Sequence, residues 1–142
     1  MLEDTKIKEW VETLSTPKEQ LGNFPICPFS SNASYTVEYT DGSDIDPPPW
    51  DFELIIYVLP DYDEDTVIKI AQEYNKMFPN LVFLPDPKDR KTYINGVLTS
   101  NGNRNLILCQ YREKLNAARQ KLARTDYYKF WDEEYLMEIL NT

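Results

Sequence analysis

The stretch FELIIYVLPDYDEDTVIKIAQEYNKMFPNLVFLP, residues 52–85, decides the predicted fold. Residues 52–60 are almost continuously apolar and rich in β-forming side chains, which predicts a central strand buried on both faces. The acidic residues of 61–65 suit the start of a helix, because the helix dipole favours negative charge there, and Pro79 ends that helix. Residues 81–85 are expected to form a further strand, which makes the stretch a parallel, right-handed βαβ unit. The apolar helix face is predicted to comprise Val67, Ile70, Ala71, Tyr74 and Met77.

Two elements are predicted before this unit. Residues 5–14 carry apolar side chains at the i, i+3, i+4, i+7 spacing of one helix face, namely Ile7, Trp10, Val11 and Leu14. Residues 34–40 alternate aromatic or aliphatic with polar side chains, which predicts a half-buried strand with Tyr35, Val37 and Tyr39 on one face. The Gly-, Asp- and Pro-rich segment 41–51 is expected to be a loop.

The region after this unit is predicted to be mainly helical. A weak signal favours a further strand at 92–98. Over 105–124 the helical spacing places one set of apolar residues on a single face: Leu108, Tyr111, Leu115, Ala118 and Leu122. The run LILC at 106–109 also fits a strand that changes to helix near Tyr111, and the sequence leaves both interpretations open. Thr125 or Asp126 is expected to cap a final helix ending near Leu140.

Together these elements predict one α+β domain over 1–142. It would hold a mixed sheet of three or four strands, built on the βαβ unit and flanked by helices. A chain of 142 residues is long enough to bury a core without a disulfide or a structural metal.

The charge and composition exclude several functional classes. The formal net charge is −9, so nucleic-acid binding and attraction to an anionic membrane surface are not expected, and a basic partner or no macromolecular partner fits better. The chain contains no histidine, which excludes a Ser-His-Asp triad and every His-ligated metal site. The two cysteines and the lack of a signal-peptide pattern favour the cytoplasm, and no apolar run is long enough to span a membrane.

Cys27 lies between two prolines in PICPF, residues 25–29. It is interpreted either as a small apolar side chain packed with Phe24 and Phe29, or as a reactive thiol and catalytic residue; a haem-ligating Cys-Pro pair is a third alternative. Cys109 is expected in the core, and a disulfide between Cys27 and Cys109 would require their Cα atoms to lie within about 7 Å.

The long segment 85–105 is the second candidate site. It collects cations in an acidic chain, follows the carboxyl end of a predicted strand and leads towards a predicted helix start, all of which suit a small anion. A solvated hairpin is the alternative interpretation. The predicted ligand-binding residues are Arg90, Asn101, Gly102, Asn103, Arg104 and Arg112.

An acidic cluster and an aromatic cluster are the remaining candidate functional sites. The loop residues Asp41, Asp44 and Asp46, with Asp51 and Glu53, lack the glycine and glutamate positions of an EF-hand, so a solvated loop is predicted, with neither metal nor cofactor. The final helix carries more aromatic residues than one face buries, namely Tyr127, Tyr128, Phe130, Trp131 and Tyr135. Tyr128, Trp131 and Tyr135 are therefore predicted to contact a protein partner or to form a homodimer seam.

Three short pieces of the sequence resemble a family of small bacterial proteins that has no settled activity. They are ICPFS at 26–30, which corresponds to a Leu-Cys-Pro-Phe-Ala motif, YVLP at 57–60 and, loosely, QYRE at 110–113. The resemblance covers roughly 24–115 and implies a shared fold and a role for Cys27, but no reaction. Ser30 replaces the alanine of the motif, and the histidines of that family's later loop are absent. The Asn-, Lys- and Tyr-rich composition also resembles that of compact viral or marine-microbial proteins.

No complete catalytic constellation is visible in the chain. The leading hypothesis is therefore an acidic, cytoplasmic, non-enzymatic accessory protein that acts by protein–protein interaction. The alternative is a small-anion-binding protein or thiol-dependent enzyme that uses Cys27 and the 85–105 segment.

Overall fold

The computed structural model describes residues 2–15, 17–19, 24–25, 35–48, 52–91, 93–94, 97–98, 100–125 and 127–131. The contacts divide the chain into two compact units. One comprises Met1–Ala33, Lys91–Thr99 and Asn116–Thr142, and the other, called the sheet unit below, comprises Ser34–Arg90 and Ser100–Leu115. That 1–142 behaves as one domain stays a prediction.

The described elements follow one another in this chain order: α1 (Leu2–Ser15), β1 (Pro17–Lys18), β2 (Phe24–Pro25), β3 (Tyr35–Tyr39), β4 (Leu54–Leu59), α2 (Glu64–Met77), β5 (Leu81–Asp86), β6 (Tyr93–Ile94), β7 (Val97–Leu98), β8 (Asn105–Tyr111), α3 (Arg112–Ala123) and a 3-10 helix (Tyr127–Phe130). β1 pairs with β2, and β6 pairs with β7, both antiparallel.

The sheet unit contains a four-stranded mixed sheet in the order β3–β4–β8–β5. β3 is parallel to β4, whereas β8 is antiparallel to both β4 and β5. The predicted α+β class and mixed sheet are confirmed. β4 and β5 run in the same direction, as the βαβ prediction requires, but β8 lies between them, so the unit is a split βαβ.

β8 corrects the prediction of a helix over 105–124. Residues 105–111 form a strand, and the helix α3 begins only at Arg112. The alternative of a strand that changes to helix near Tyr111 is confirmed. Leu106 and Ile107 point to opposite faces of the sheet and both are fully buried, which a strand between two neighbours achieves. Because no helix begins at Asn105, the expected helix N-terminus for an anion is absent there.

The predicted strand at 92–98 does not join the main sheet. Its residues Tyr93–Ile94 and Val97–Leu98 form the short antiparallel pair β6–β7 instead. Tyr93 is 47% exposed. The fourth strand of the main sheet is β8.

The core of the sheet unit lies between α2 and one face of the sheet. α2 buries Val67, Ala71 and Tyr74, and Ile70 is partly buried against the same cluster. Met77, which was predicted on this face, is 66% exposed, and Phe78 packs against the core in its place. The helix ends there because Pro79 follows, and its start is capped by Asp63, which accepts a hydrogen bond from the Thr66 N–H. The sheet contributes Ile55, Tyr57, Leu59, Leu81, Phe83, Ile107 and Cys109.

The other unit contains α1 and the 3-10 helix. α1 buries Ile7 and Val11, two of the residues predicted on its apolar face. The predicted final helix is a 3-10 helix over Tyr127–Phe130, and Thr125 caps it by accepting a hydrogen bond from the Tyr127 N–H. The continuation to Leu140 lies outside the described residues.

Candidate functional site

A group of exposed carboxylates lies where β3, β4 and α2 meet. β3 and β4 are parallel neighbours, so the loop after β3 and the segment that leads from β4 into α2 start from the same end of the sheet. No lysine, arginine or histidine occurs between Lys18 and Lys69. We call the resulting surface the acidic face, and its exposed members are Glu38, Asp41, Asp44, Asp46, Asp63 and Asp65.

Two tyrosines hold the loop after β3 in place. The Tyr62 hydroxyl donates to the Asp41 carbonyl at 2.8 Å. The Tyr74 hydroxyl donates to the Gly42 carbonyl at 3.0 Å and accepts the Ile45 N–H at 3.1 Å. Ile45 is buried in the core as a result. The carboxylates of the acidic face therefore stand on a fixed backbone.

Gly42 permits this close approach. Its φ is +93°, and a Cβ atom there would lie 2.9 Å from the Ile70 Cδ1 atom. Glycine adopts this backbone conformation without the steric cost that other residues meet. Local hydrogen bonds keep two carboxylates of the face ionised: the Ser43 hydroxyl and N–H lower the pKa of Asp41, and Thr66 lowers the pKa of Asp63.

Tyr57 lies beneath this face. It is 2% exposed, and within the described part of the chain its hydroxyl has no hydrogen-bond partner. Burial raises the pKa of Tyr57, and the nearby Cys109, Glu38 and Asp46 raise it further. Glu38 is its direct neighbour across the β3–β4 pair. The hydroxyl is thus neutral and carries an unsatisfied donor.

A second polar cluster lies at the carboxyl end of β5. The Asp86 carboxylate accepts hydrogen bonds from the Asn101 side-chain Nδ2 at 2.6 Å and from the Asn101 backbone N–H at 3.2 Å. Burial raises the pKa of Asp86 to about 6, while the Asn101 hydrogen bonds and the charge of Arg90 act in the opposite direction. Asp86 was not singled out in the sequence because its burial depends on the loop of 100–104.

Asn105 joins the ends of three segments at this cluster. Its Nδ2 donates to the carbonyls of Pro60 and Tyr62 at 2.9 and 2.8 Å, and its Oδ1 accepts the Lys88 N–H at 2.9 Å. Lys88 also forms an ion pair with Asp61. The side chain of Asn105 is fully satisfied, so it acts as a structural clamp.

The structure brings some of the predicted anion-binding residues together but engages them in other contacts. The Asn101 Oδ1 accepts the N–H groups of Asn103 and Arg104, so this amide shapes its own loop. Gly102 has a φ of +65° in open space. Arg90 lies near Asp86. The carboxylate in the middle of this cluster does not favour an anion.

Arg112 lies away from this cluster, at the opposite end of β8. Its Nε and Nη2 atoms donate to the carbonyls of Pro79 and Leu81. Seven residues of extended strand separate it from Arg104, which corresponds to roughly 20 Å or more. The two arginines do not belong to one site.

The predicted cysteine and aromatic sites are only partly described. Cys27 and Tyr135 lie outside the described residues. Cys109 is a free and fully buried thiol, whose pKa is raised to about 12 by burial, as expected for a core residue. Tyr128 and Trp131 are partly buried and pack edge-to-face on each other and on Tyr127, with ring centroids 4.9–5.5 Å apart. These rings form a local aromatic cluster.

No group of three or more acidic or cysteine side chains in the described residues is arranged to hold a metal ion. None of the helices described here combines the length and apolar character needed to cross a bilayer. No protein-family profile, curated protein or solved structure matches this chain. The resemblance to the Cys-Pro-Phe family stays a prediction.

Proposed function

We propose that this protein is a non-enzymatic, cytoplasmic accessory protein that binds a basic segment of another protein through the acidic face. The observation that carries the proposal is the fixed position of the loop after β3. Tyr62 and Tyr74 hold its backbone at Asp41 and Gly42, so the carboxylates are presented together without a further loss of loop entropy on binding.

The electrostatics of the sheet unit support this function. Carboxylates on both sides of the loop after β3 are exposed, and the segment between Lys18 and Lys69 supplies no cation of its own. Lys69 itself acts on Asp63, whose pKa it lowers. Such a surface attracts a cationic partner, raises its association rate and repels anionic molecules. The same charge makes binding sensitive to ionic strength, because exposed charges are screened over about 10 Å at 0.1 M salt.

The test compares two triple variants that lose the same charge. The first replaces residues of the acidic face whose side chains form no hydrogen bond within the described residues: Glu38→Gln, Asp46→Asn and Asp65→Asn. The second removes three exposed carboxylates of the sheet unit that lie outside the acidic face: Glu53→Gln, Glu73→Gln and Glu113→Gln. A fluorescein-labelled oligolysine peptide is titrated with each protein at 50 and 200 mM salt, and binding is followed by fluorescence anisotropy.

We expect the first variant to bind at least tenfold more weakly than the unmodified protein at 50 mM salt, and the second to lose roughly twofold. Binding of the unmodified protein should weaken at 200 mM salt. Equal losses in both variants would show that only net charge matters, and the acidic face would then not be a binding surface.

A further inference from the structure

β3 is an edge strand of the described sheet, with β4 as its neighbour on one side. The Thr40 N–H donates to the Val58 carbonyl, so the alternate residues Thr36, Glu38 and Thr40 direct their backbone groups towards β4. The backbone groups of Tyr35 and Val37 therefore point away from β4. Within the residues that the structure describes, these outward groups have no hydrogen-bond partner.

The opposite edge of the same sheet, on β5, is closed. Asn75 supplies Phe83 with both hydrogen bonds that a further strand would supply, at 2.7 and 3.0 Å. The Leu81 N–H donates to the Phe78 carbonyl. Pro85, the next outward position, has no N–H at all. β5 thus offers no backbone donor to an additional strand at these three positions.

The contrast matters because proteins ordinarily protect their sheet edges with prolines, lysines, bulges or covering groups. β3 contains neither proline nor lysine, and its pairing with β4 continues without a bulge from Tyr35 to Tyr39. Glu38 is the one charged residue of β3, and its carboxylate opposes an acidic partner strand but not a basic one. Within the described residues, one edge of the sheet is closed and the other is unpaired at Tyr35 and Val37, as in sheets that receive a peptide strand.

We propose that β3 receives an extended basic segment of the protein partner as an additional strand of the sheet. This inference rests on the proposed function and names the mode of binding at the acidic face. A second copy of this chain is the less suitable occupant, because it would place the carboxylates of two acidic faces next to each other.

The two faces of β3 determine the sequence pattern of that segment. Glu38 lies on the face that carries Tyr57, whereas Tyr35 and Val37 lie on the opposite face. Side chains directly across from one another in a sheet interact, so cationic residues of the added strand belong opposite Glu38 and apolar residues opposite Val37. The occupant therefore alternates basic and apolar residues.

The experiment uses two peptides of alternating lysine and valine that differ only in their backbone. One is unmodified, and the other carries N-methyl groups on alternate amides of one edge, which removes its strand-pairing donors but keeps every charge. A second N-methylated peptide, with the groups on the other edge, controls for orientation. Affinities for the full chain are measured by anisotropy, and amide exchange of Tyr35, Thr36, Val37 and Glu38 is followed by NMR.

We expect one of the N-methylated peptides to bind roughly tenfold or more weakly than the unmodified peptide. The unmodified peptide should slow exchange of the Tyr35 and Val37 amides at least tenfold, with little effect on the inward Thr36 and Glu38 amides. If all peptides bind equally and exchange is unchanged, the strand-addition inference is overturned while binding to the acidic face stands. If no peptide binds, both proposals fail.

Discussion

Asn75 closes the outer edge of β5 by pairing with both backbone groups of Phe83. The side-chain Oδ1 accepts the Phe83 N–H at 2.7 Å, and the Nδ2 donates to the Phe83 carbonyl at 3.0 Å. A single helix side chain thus satisfies the outward backbone groups at one position of this edge strand. Because Asn75 lies on α2, the same contact fixes the helix against the sheet.

Replacing Asn75 with alanine should destabilise the protein by about 1–3 kcal/mol, because two partly buried backbone groups lose their partners. Urea unfolding followed by fluorescence measures the change in the free energy of unfolding. Gln72→Ala, at an exposed position of the same helix, is the control and should change it by less than about 0.5 kcal/mol. Similar values for both variants would remove the role assigned to Asn75.

Two tyrosine-to-phenylalanine changes should have opposite effects. Tyr74→Phe removes hydrogen bonds to Gly42 and Ile45 and should cost about 1–3 kcal/mol of stability. Tyr57→Phe removes a buried hydroxyl that has no partner in the described residues, so it should leave stability unchanged or raise it by up to about 1 kcal/mol. Thermal and urea unfolding of both variants give the comparison. A loss at Tyr57 as large as that at Tyr74 would show that its hydroxyl is bonded in solution.

The two glycines with positive φ should respond differently to alanine. Both changes carry the backbone cost of the left-handed region, about 1–2 kcal/mol. Gly42→Ala also forces its new Cβ against the Ile70 side chain, whereas Gly102→Ala meets nothing within 4 Å. We therefore expect Gly42→Ala to cost at least about 1 kcal/mol more than Gly102→Ala in urea unfolding. Equal losses of unfolding free energy in the two variants would show that the loop after β3 can move away from Ile70.

Asp86 should make stability depend on pH in the mildly acidic range. Burial raises its pKa from 3.8 to about 6. Between these values the folded state binds more protons than the unfolded state, so the Asp86 contribution to the free energy of unfolding decreases as the pH rises from about 4 to about 6. The size of this decrease is on the order of 2 kcal/mol.

Urea unfolding at intervals from pH 4 to pH 8 tests this dependence. Asp86→Asn should flatten the profile over that window, while Asp89→Asn, an exposed neighbour, should retain it. The lowered pKa values of Asp41 and Asp63 act in the opposite direction and at lower pH, where protonation removes their contribution. If the free energy of unfolding of Asp86→Asn depends on pH as it does in the unmodified protein, a group other than Asp86 takes up the proton.

Local pattern predicted the elements whose neighbours in sequence decide them. The continuous apolar run at 54–59, the acidic start of α2 and the proline after it correctly indicate strand, helix start and helix end. The alternation at Tyr35 and Val37 likewise indicates β3. In each case the side chains that specify the element lie within one or two turns or a few strand positions of one another.

The same reasoning failed where an apolar pattern fits both the two-residue repeat of a strand and the 3.6-residue repeat of a helix. Leu106–Cys109 is too short to distinguish a buried strand from a helix face, and only its pairing with β4 and β5 selects the strand. Met77 follows the helical spacing, yet the helix ends there and the partly buried ring of Phe78 packs against the core instead. The acidic residues were visible in the sequence, but their common surface was not.

The sequence by itself determined the acidic charge, the absence of histidine chemistry and the order of β4, α2 and β5, because these depend on composition and short-range spacing. Tertiary structure decided the placement of β8 between β4 and β5, the closed edge at Phe83 and the position of β3 at the other edge of the described sheet. It also decided the burial of Asp86 and the hydrogen bond from the Tyr74 hydroxyl to the Gly42 carbonyl, 32 residues away. These features depend on which distant segments pack together, and a linear pattern of side chains does not encode that directly.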